Sequence, residues 1–375
     1  MGDDVPVNDP VIPDYGDANI TGLVPGCLLA SPGRRPEWFP EPAQNAETIV
    51  LVLVDGMGWN QLTARRSALS FLDSMSGRPI TTVAPSTTAS ALTSLATGAA
   101  PIDHGIVGYR MDMGDGVMNS LRWSIVDRDV RRSHGPESVQ PIPPFAGFSV
   151  PVVSRVDLES TPFTHAHLRG SRPHGWRTAS SIVTQCARLV RAGERFVYAY
   201  YDGLDKIAHE CGLGEHYDSE IAFVDWLLAA IFAALPAGTT LLVTADHGQV
   251  EVGDRVVELP TAAAASLSRQ SGEGRFRWLH ARAGRAGELH RICRDAFGDQ
   301  AWVVSKEQVI DEGWLGRLHG NRDAAVRRLG DVALVPFAPI SFHDPDDSGP
   351  FTLIGRHGSL TADEMLVPLL ARTRE

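Results

Sequence analysis

The stretch TIVLVLVDGMG, residues 48–58, indicates the fold most directly. An uncharged run, apolar on consecutive residues, ends at Asp55 and two glycines. Such a run predicts a strand that is covered by helices on both faces, as in a parallel sheet. The stretch TTLLVTADHG, residues 239–248, repeats the arrangement, with Asp246 and His247 after the apolar run. We therefore expect a buried strand to end just before each of these polar positions.

Two further segments have the same order of residues. The segment Arg195–Tyr201 precedes Asp205, and the segment Phe351–Ile354 precedes His357. Helical patterns lie between the predicted strands, at Ala89–Thr97, Ser180–Ala192 and Asp218–Leu235. Alternation of strand and helix predicts an α/β fold with a mostly parallel sheet, in which functional residues collect at the carboxyl ends of the strands.

We expect a single domain over residues 1–375, with its core at about 48–252 and 351–370. Residues 253–347 interrupt the alternation with arginine-rich sequence of mixed pattern. This segment is interpreted as a cap inserted before the last core strand. Residues 110–175, rich in Pro, Arg and Asp, are expected to form a second, looser excursion over the mouth of the site.

Composition limits the classes of partner. The chain has 375 residues, of which 43% are hydrophobic and 21% charged, as in ordinary globular proteins. The formal net charge of −11 gives no electrostatic footprint for duplex nucleic acid. No apolar run approaches the roughly 18–20 residues that span a bilayer, so we expect no membrane association.

The expected compartment is the cytoplasm. The acidic, Pro-rich segment Met1–Asp17 lacks the basic start and apolar stretch of a secretory signal. The cysteines are scattered and show no CxxC spacing, so they are interpreted as buried thiols in a reducing compartment. They are Cys27, Cys186, Cys211 and Cys293.

Acidic and imidazole side chains follow the predicted strands at Asp55, Asp205, His209, Asp246, His247 and His357. Taken singly, each has an ordinary reading, such as a capping carboxylate, a surface hydrogen bond or a Gly-His-Gly turn. Asp205 and His209 are four residues apart, which places them on one face of a helix. Taken together, mixed carboxylate and imidazole ligands predict a site for two divalent metal ions, with zinc favoured over iron or manganese.

A candidate nucleophile lies in TTVAPSTTASALTSLATG, residues 81–98. Thr88 falls where an extended, Pro-containing stretch gives way to a helix, so its hydroxyl would meet the partial positive charge of the helix amides. A bound cation would lower the pKa of this hydroxyl. The alternative is that Ser86, Thr87 and Thr88 only cap the helix.

In order, VDGMG, PSTTASALTSLATG, DHGIVGY, DGLDKIAH, ADHG and GRHG resemble the alkaline phosphatase superfamily. The resemblance is to its nucleotide pyrophosphatase/phosphodiesterase-like bacterial branch. It implies an alkaline phosphatase-like α/β core, with a mostly parallel central sheet flanked by helices and an inserted cap region.

The resemblance also implies roles for individual residues. One metal would be held by Asp205, His209 and His357. The other would be held by Asp55, Asp246 and His247, with Thr88 coordinating it and attacking phosphorus. A covalent phosphothreonine would form and would then be hydrolysed by water.

One position departs from the family pattern. Phosphodiesterase relatives carry Asn three residues after the nucleophile, where this chain has Ala91. Other groups must then hold the phosphate, and the candidates are the helix amides near Ala89 and Ser90, Trp59, Tyr109 or an arginine of the cap. This departure affects the substrate class more than the chemistry.

Three functions remain open from the sequence. A metal-dependent phosphodiesterase or nucleotide pyrophosphatase is favoured, with a small phosphate ester as substrate, which includes nucleotides. A phosphomonoesterase of the same superfamily and a non-catalytic metal-binding relative are the alternatives. A sulfatase and a cofactor-independent phosphoglycerate mutase are disfavoured, because the first needs a C-x-P-x-R segment and the second a nucleophilic Ser. The oligomeric state and the substrate-binding residues stay open. A leaving group could contact Arg275, Arg277 and Trp278 in the cap. For each arginine, however, a surface salt bridge is the favoured role.

Overall fold

The computed structural model describes residues 9–317, 323–347 and 353–375. Its central feature is a seven-stranded sheet with the spatial order β2-β7-β6-β1-β5-β3-β4. In chain order these strands are β1 (Thr48–Val54), β2 (Ser76–Thr81), β3 (Pro151–Val153), β4 (Arg172–Pro173), β5 (Phe196–Tyr201), β6 (Thr239–Thr244) and β7 (Leu366–Thr373).

Strand β1 lies in the middle of the sheet and explains the unbroken apolar run. It pairs in parallel with β6 on one side and β5 on the other, so that Val52 lies opposite Val243 and Ala199. Every residue of 49–54 is at most 2% exposed, because helices cover both faces of the sheet. Strand β7 is antiparallel to β6 and β2, whereas the remaining pairs are parallel. The predicted mostly parallel α/β sheet is confirmed.

Helices follow the predicted pattern closely. The three helices predicted from periodicity are present at Thr88–Thr97, Ser180–Arg191 and Glu215–Ala234. None of the helices in the described ranges combines the length and apolarity needed to cross a bilayer. The other α-helices are Leu23–Leu28, Glu41–Gln44, Trp59–Thr63, Ser70–Asp73, Pro101–His104, Pro136–Val139, Pro162–Leu168, Gly203–Cys211, Thr261–Ser266, Ala286–Phe297, Lys306–Asp311, Asp323–Val326 and Ala362–Met365.

The prediction of a last core strand at Phe351–Ile354 is wrong for the two of its residues that the structure describes. Residues 351 and 352 lie outside the described residues, and Leu353 and Ile354 are not in a strand. A two-residue strand, Gly355–Arg356, follows and pairs with Val250–Glu251 outside the central sheet. The Ile354 amide donates to the His209 carbonyl (2.7 Å), so the apolar residues pack along a helix rather than within a sheet. The last strand of the central sheet is β7.

Residues 110–175 also differ from the expected loose excursion. Their first part forms a small antiparallel sheet, and their second part supplies β3 and β4 to the central sheet. Strands of two or three residues are too short to show a period, which explains why the sequence pattern missed them. The strands of the small sheet are Arg110–Asp112, Val117–Asn119, Ser124–Ile125 and Arg128–Asp129.

Residues 253–347 contain a four-stranded antiparallel sheet with a small apolar core of its own. The helices Thr261–Ser266 and Ala286–Phe297 contribute Ala263 and Leu289 to that core. The four strands are Leu267–Glu273, Phe276–Ala281, Ala301–Ser305 and Val332–Pro336.

All four cysteines are free thiols. Cys186 and Cys293 are buried as expected, and Cys27 is half-buried. The expectation of burial is wrong for Cys211, which is exposed at the last position of the helix Gly203–Cys211.

Candidate metal centre and nucleophile

The carboxyl ends of β1, β5 and β6 bring distant parts of the sequence together. Asp55 directly follows β1, and Asp246 and His247 follow β6. Asp205 and His209 lie one turn apart on the helix Gly203–Cys211, which begins after β5. Because the three strands are parallel neighbours, these side chains meet at one edge of the sheet.

Asp55, Asp246 and His247 form a first cluster, with one potential ligand atom from each within 4.8 Å of the others. His247 Nε2 lies 3.3 Å from Asp55 Oδ1 and 3.5 Å from Asp246 Oδ2. Both of these carboxylate oxygens are buried and have no hydrogen-bond partner in the described part of the chain. A buried carboxylate oxygen without a partner is costly, and a bound cation would remove that cost. The donor set therefore fits a divalent metal ion.

A second cluster joins Asp205, His247 and His357, again within 4.8 Å of one another. His357 Nε2 lies 3.8 Å from Asp205 Oδ1. His209 adjoins this cluster, with its Nε2 3.4 Å from Asp205 Oδ1 and its ring centroid 5.2 Å from that of His357. The three residues whose ligand atoms lie within 4.8 Å of one another thus include His247. The family pattern instead implies His209 as the ligand that joins Asp205 and His357. All of these side chains nevertheless belong to one continuous site, and metal binding itself stays a prediction.

Backbone carbonyls fix the orientation of the three imidazoles. The Nδ1 atoms of His209, His357 and His247 lie 2.7, 2.9 and 3.1 Å from the carbonyl oxygens of Gly355, Ser86 and Gly248. Donation from Nδ1 leaves Nε2 unprotonated in the neutral ring. This is the arrangement in which an imidazole binds a metal through Nε2.

Burial and mutual repulsion perturb the ionisation of the site. Desolvation, reinforced by the nearby charges of Asp246 and Asp205, raises the pKa of Asp55 well above its usual value. Burial likewise raises the pKa of Asp205 and of Asp246. Desolvation and neighbouring imidazoles lower the pKa of His357 well below its usual value. The protein therefore holds carboxylates together at a cost that divalent cations would offset.

Thr88 is the first residue of the helix Thr88–Thr97, and its Oγ1 lies 3.1 Å from His247 Nε2. The alternative is that Ser86, Thr87 and Thr88 only cap the helix. It lacks the expected hydrogen bond, because the side chain of the N-cap residue Thr87 accepts none from the helix amides. Ser86 Oγ instead donates to the Ser359 carbonyl (2.7 Å). The Thr88 hydroxyl thus lies at a helix N-terminus and against the metal-binding candidates at the same time.

Sequence reasoning missed two residues that hold the candidate ligands. The Tyr200 hydroxyl donates a hydrogen bond to Asp55 Oδ2, and Gln249 Nε2 donates to Asp205 Oδ1 (2.6 Å). Gln249 follows His247 by two residues, so the ADHG motif could have drawn attention to it. Tyr200 carries no signal in the sequence, because its role depends on the pairing of β5 with β1.

Two cavities meet at Thr88. One, of about 240 Å³, has a mostly apolar inner surface to which Leu158, Phe163 and Leu168 contribute, although polar and charged side chains also line it. The other, of about 290 Å³, includes Tyr109, one of the residues expected to hold phosphate. Trp59, another such candidate, lines neither cavity among the described residues.

The expectation of surface salt bridges for the cap arginines is wrong. Arg275, Arg277 and Trp278 are each 1% exposed. Arg275 donates to both carboxylate oxygens of Glu364 (2.7 and 2.8 Å), and Arg277 pairs with Asp344 (3.1 Å). Residues 276–280 of the strand Phe276–Ala281 are all buried, so side chains on both of its faces lie inside the fold, where each arginine has a carboxylate partner.

Several histidines outside the candidate ligands lie in structural or surface positions. His104 is buried and its Nε2 lies 2.8 Å from Ser94 Oγ. His167 is buried and its Nδ1 lies 2.7 Å from the Phe163 carbonyl. His165 is exposed and lies 3.1 Å from Glu137.

Comparison with known proteins agrees with the observed fold. The family model of type I phosphodiesterase/nucleotide pyrophosphatase matches residues 49–360. Murine ectonucleotide pyrophosphatase/phosphodiesterase 5 superposes with a TM-score of 0.65 and 17% identity, over 87% of this chain and 88% of its own. An inactive threonine-to-alanine variant of that murine protein, in complex with AMP, gives a TM-score of 0.64 at 17% identity over the same shares, 87% and 88%.

A bacterial structure has the same fold. Phosphonoacetate hydrolase from Sinorhizobium meliloti 1021, in complex with phosphonoacetate, superposes with a TM-score of 0.63 and 18% identity, over 91% of this chain and 92% of its own. A comparison with curated protein sequences found no match.

Proposed function

Because this chain belongs to the type I phosphodiesterase/nucleotide pyrophosphatase family and is therefore a hydrolase of phosphoester bonds, we propose that it cleaves phosphodiesters or pyrophosphates through a phosphothreonine at Thr88. The observation that carries this proposal is the position of Thr88 Oγ1, 3.1 Å from His247 Nε2 at the start of a helix. Thr88 supplies the hydroxyl that attacks phosphorus, so the proposed reaction requires no second nucleophilic side chain.

We propose that two divalent cations, with zinc favoured, are the cofactors. Asp205, His209 and His357 would hold one, and Asp55, Asp246 and His247 the other. The buried, unpartnered oxygens of Asp55 and Asp246 and the three anchored imidazoles support this assignment. When bound, the cations supply positive charge that favours the alkoxide of Thr88 and neutralises charge on the transferring phosphoryl group.

The chain's own groups position the reaction. The N-terminus of the helix Thr88–Thr97 directs its partial positive charge toward the phosphate, in place of the amide that Ala91 lacks. The bond between Thr88 Oγ and phosphorus forms as the bond to the leaving oxygen breaks, and the hydroxyl proton passes to solvent. Water then attacks phosphorus, breaks the bond to Thr88 and restores the hydroxyl, releasing a phosphomonoester.

Two observations favour a diester or pyrophosphate, and among these a nucleotide, over a monoester. The apolar cavity of about 240 Å³ beside Thr88 has room for an organic substituent on phosphorus. The murine protein of the same fold binds AMP, and its inactive variant carries alanine in place of a threonine. Both support a small phosphate ester with an organic group and a threonine nucleophile.

We also propose residues 253–347 as the cap. The turn Gly274–Arg275, which joins two strands of this region, lines the second cavity beside Thr88. The scattered free cysteines support the cytoplasm as the compartment.

Comparing bis-p-nitrophenyl phosphate with p-nitrophenyl phosphate, each with and without a chelator, tests the proposal. We expect faster hydrolysis of the diester and loss of this activity on chelation. Faster hydrolysis of the monoester would assign the alternative phosphomonoesterase. Two bound metals without activity on either compound would assign a non-catalytic relative.

A further inference from the structure

The second cavity beside Thr88 contains four charged side chains that the proposed chemistry does not use, namely Glu273, Arg275, Asp347 and Arg356. The cavity is about 290 Å³ and is lined by Thr88, His357, Glu273 and Arg356 among others. This volume lies near the lower end of ordinary small-molecule sites, roughly 300–1,000 Å³. We call it the Glu273–Arg356 cavity.

Glu273 is the last residue of the strand Leu267–Glu273 and is 8% exposed. Its Oε1 is buried and finds no hydrogen-bond partner among the residues that the structure describes. The side chain packs over Gly358, since a Cβ added to that glycine would lie 2.9 Å from Glu273 Cγ. A buried carboxyl oxygen without a partner, on the wall of a cavity beside the nucleophile, points to a ligand that completes its hydrogen bonding.

Arg356 is the available cation of this cavity. Its Nε donates to the Leu353 carbonyl (3.2 Å), and it has no ion-pair partner within residues 9–317, 323–347 and 353–375. Its Nη1 lies beside the backbone of Gly274, because a Cβ added to Gly274 would be 3.3 Å away. The guanidinium is therefore next to the turn that carries Glu273.

The neighbouring arginine of the cavity wall is not available in this way. Arg275 uses Nε and Nη2 on Glu364, and Nη1 on the carbonyls of Ala338 and Ile340. A ligand would have to break buried hydrogen bonds to recruit it. Asp347, also in the cavity wall, lies 3.8 Å from Arg277 Nη2. Glu273 has a hydrogen bond with Thr87, but its Oε1 has no partner in the described part of the chain. Arg356 and Glu273 Oε1 therefore have hydrogen-bonding capacity left for a ligand.

We propose that the Glu273–Arg356 cavity binds the leaving group and selects one that carries both an acidic oxygen and a hydroxyl. A guanidinium presents parallel N–H donors that match the oxygens of a phosphate. A hydroxyl both donates and accepts, so it satisfies Glu273 in either protonation state. A sugar phosphate has both groups and is the leaving group of a nucleoside diphosphate sugar. This inference rests on the proposed function.

Three uridine substrates separate the two contacts, with release of UMP as the common readout. UDP-glucose has a leaving group with phosphate and hydroxyls, UDP has one with phosphate alone, and uridine 5′-(p-nitrophenyl) phosphate has neither. The measured quantity is the ratio of kcat/KM for each natural substrate to kcat/KM for the p-nitrophenyl ester.

We expect Arg356→Met to lower the ratio for UDP-glucose and for UDP by about 10- to 100-fold, as for loss of a charged hydrogen bond. Glu273→Leu should lower the ratio for UDP-glucose by about tenfold and leave the ratio for UDP unchanged. Arg285→Met and Glu288→Leu are matched controls, since these residues form an exposed ion pair at the start of the helix Ala286–Phe297, and they should change neither ratio.

The outcomes separate the two proposals. If the wild-type protein hydrolyses the p-nitrophenyl ester but Arg356→Met and Glu273→Leu leave both ratios unchanged, the leaving-group assignment is overturned. Equal losses on all three substrates overturn it as well, because they indicate damage to the common site. Absence of wild-type activity on all three substrates, with metals bound, instead contradicts the proposed function.

Discussion

The hydroxyl of Tyr200 donates a hydrogen bond to Asp55 Oδ2, so the other oxygen of this carboxylate, Oδ1, lies 3.3 Å from His247 Nε2. Tyr200 is 9% exposed and lies on β5, next to the strand that ends at Asp55. The tyrosine thereby directs one oxygen of the carboxylate toward the proposed metal. Partners of this kind orient metal ligands and influence metal affinity.

Removal of the Tyr200 hydroxyl should weaken metal binding. We expect Tyr200→Phe to lower metal affinity about 10- to 100-fold, with activity restored by excess metal, because Asp55 loses the partner that orients it. Activity measured against free zinc concentration checks this. Tyr201→Phe is the matched control, since the Tyr201 hydroxyl donates to Glu220 (2.5 Å) outside the candidate ligands. An unchanged zinc titration for Tyr200→Phe would contradict the role given to this hydroxyl.

A methyl group at Gly56 should disturb the site through a steric contact. Gly56 has φ +73°, and an added Cβ would lie 2.9 Å from Gln249 Nε2 and 3.1 Å from Asp205 Cα. We expect Gly56→Ala to lose about 1–2 kcal/mol of stability from the left-handed backbone, and to lose metal affinity from the displaced carboxylate. Thermal unfolding and zinc titration measure the two effects.

Gly193→Ala supplies the control for this substitution. Gly193 has φ +96°, and an added Cβ would meet nothing within 4 Å. It should show a comparable loss of stability with unchanged metal affinity. Equal zinc titrations for the two variants would exclude the contact with Asp205 as the cause.

Metal removal should destabilise the protein more as the pH rises. Burial raises the pKa of Asp55, Asp205 and Asp246 in the metal-free folded state. The metal-free folded state is therefore most stable, relative to the unfolded chain, below the ordinary carboxyl pKa. It loses stability as the pH rises through the raised pKa values. Bound cations remove this repulsion. We expect the Tm difference between metal-loaded and chelated protein to widen from pH 5 to pH 8. A constant difference over this range would contradict buried, mutually repelling carboxylates.

His104 should make the stability pH-dependent on the acid side. Its Nδ1 accepts from the Ile106 amide (3.1 Å), and burial lowers its pKa to about 3. A lowered folded-state pKa gives stability that is present above the unfolded pKa of about 6.5 and is lost as pH falls toward the folded value. We expect wild-type protein to lose about 2 kcal/mol more than His104→Gln between pH 7 and pH 5.

Chemical denaturation at each pH measures this difference, with the exposed His165→Gln as the control. Parallel pH profiles for wild-type protein and His104→Gln would show that His104 does not contribute.

Those parts of the fold that are encoded by residues adjacent in the chain could be predicted from the sequence. The apolar runs of β1, β5 and β6 identify buried parallel strands, and the polar residues just after them identify the candidate ligands. Strand β7 was missed because it follows a short helix and contains Pro368, which is unusual within a strand. Strands β3 and β4 are too short for a periodic signal.

The rest of the site depends on tertiary pairing. Tyr200 reaches Asp55 only through the register of β5 with β1, and Glu273 reaches the neighbourhood of Thr88 only because a hairpin of residues 267–281 folds back over the sheet. The segment before His357 was expected to be a core strand, but backbone pairing with the helix that carries His209 places it in a loop. No local pattern encodes these contacts.

The most direct test measures metal content and turnover together in wild-type protein, Thr88→Ala and Thr88→Ser. Elemental analysis should find two divalent cations per chain in all three proteins, because Thr88 supplies only one of the proposed ligand atoms. Turnover of bis-p-nitrophenyl phosphate should be abolished in Thr88→Ala and partly retained in Thr88→Ser. Absence of divalent metal from the wild-type protein, or a metal-loaded Thr88→Ala protein that still turns over substrate, would contradict the account.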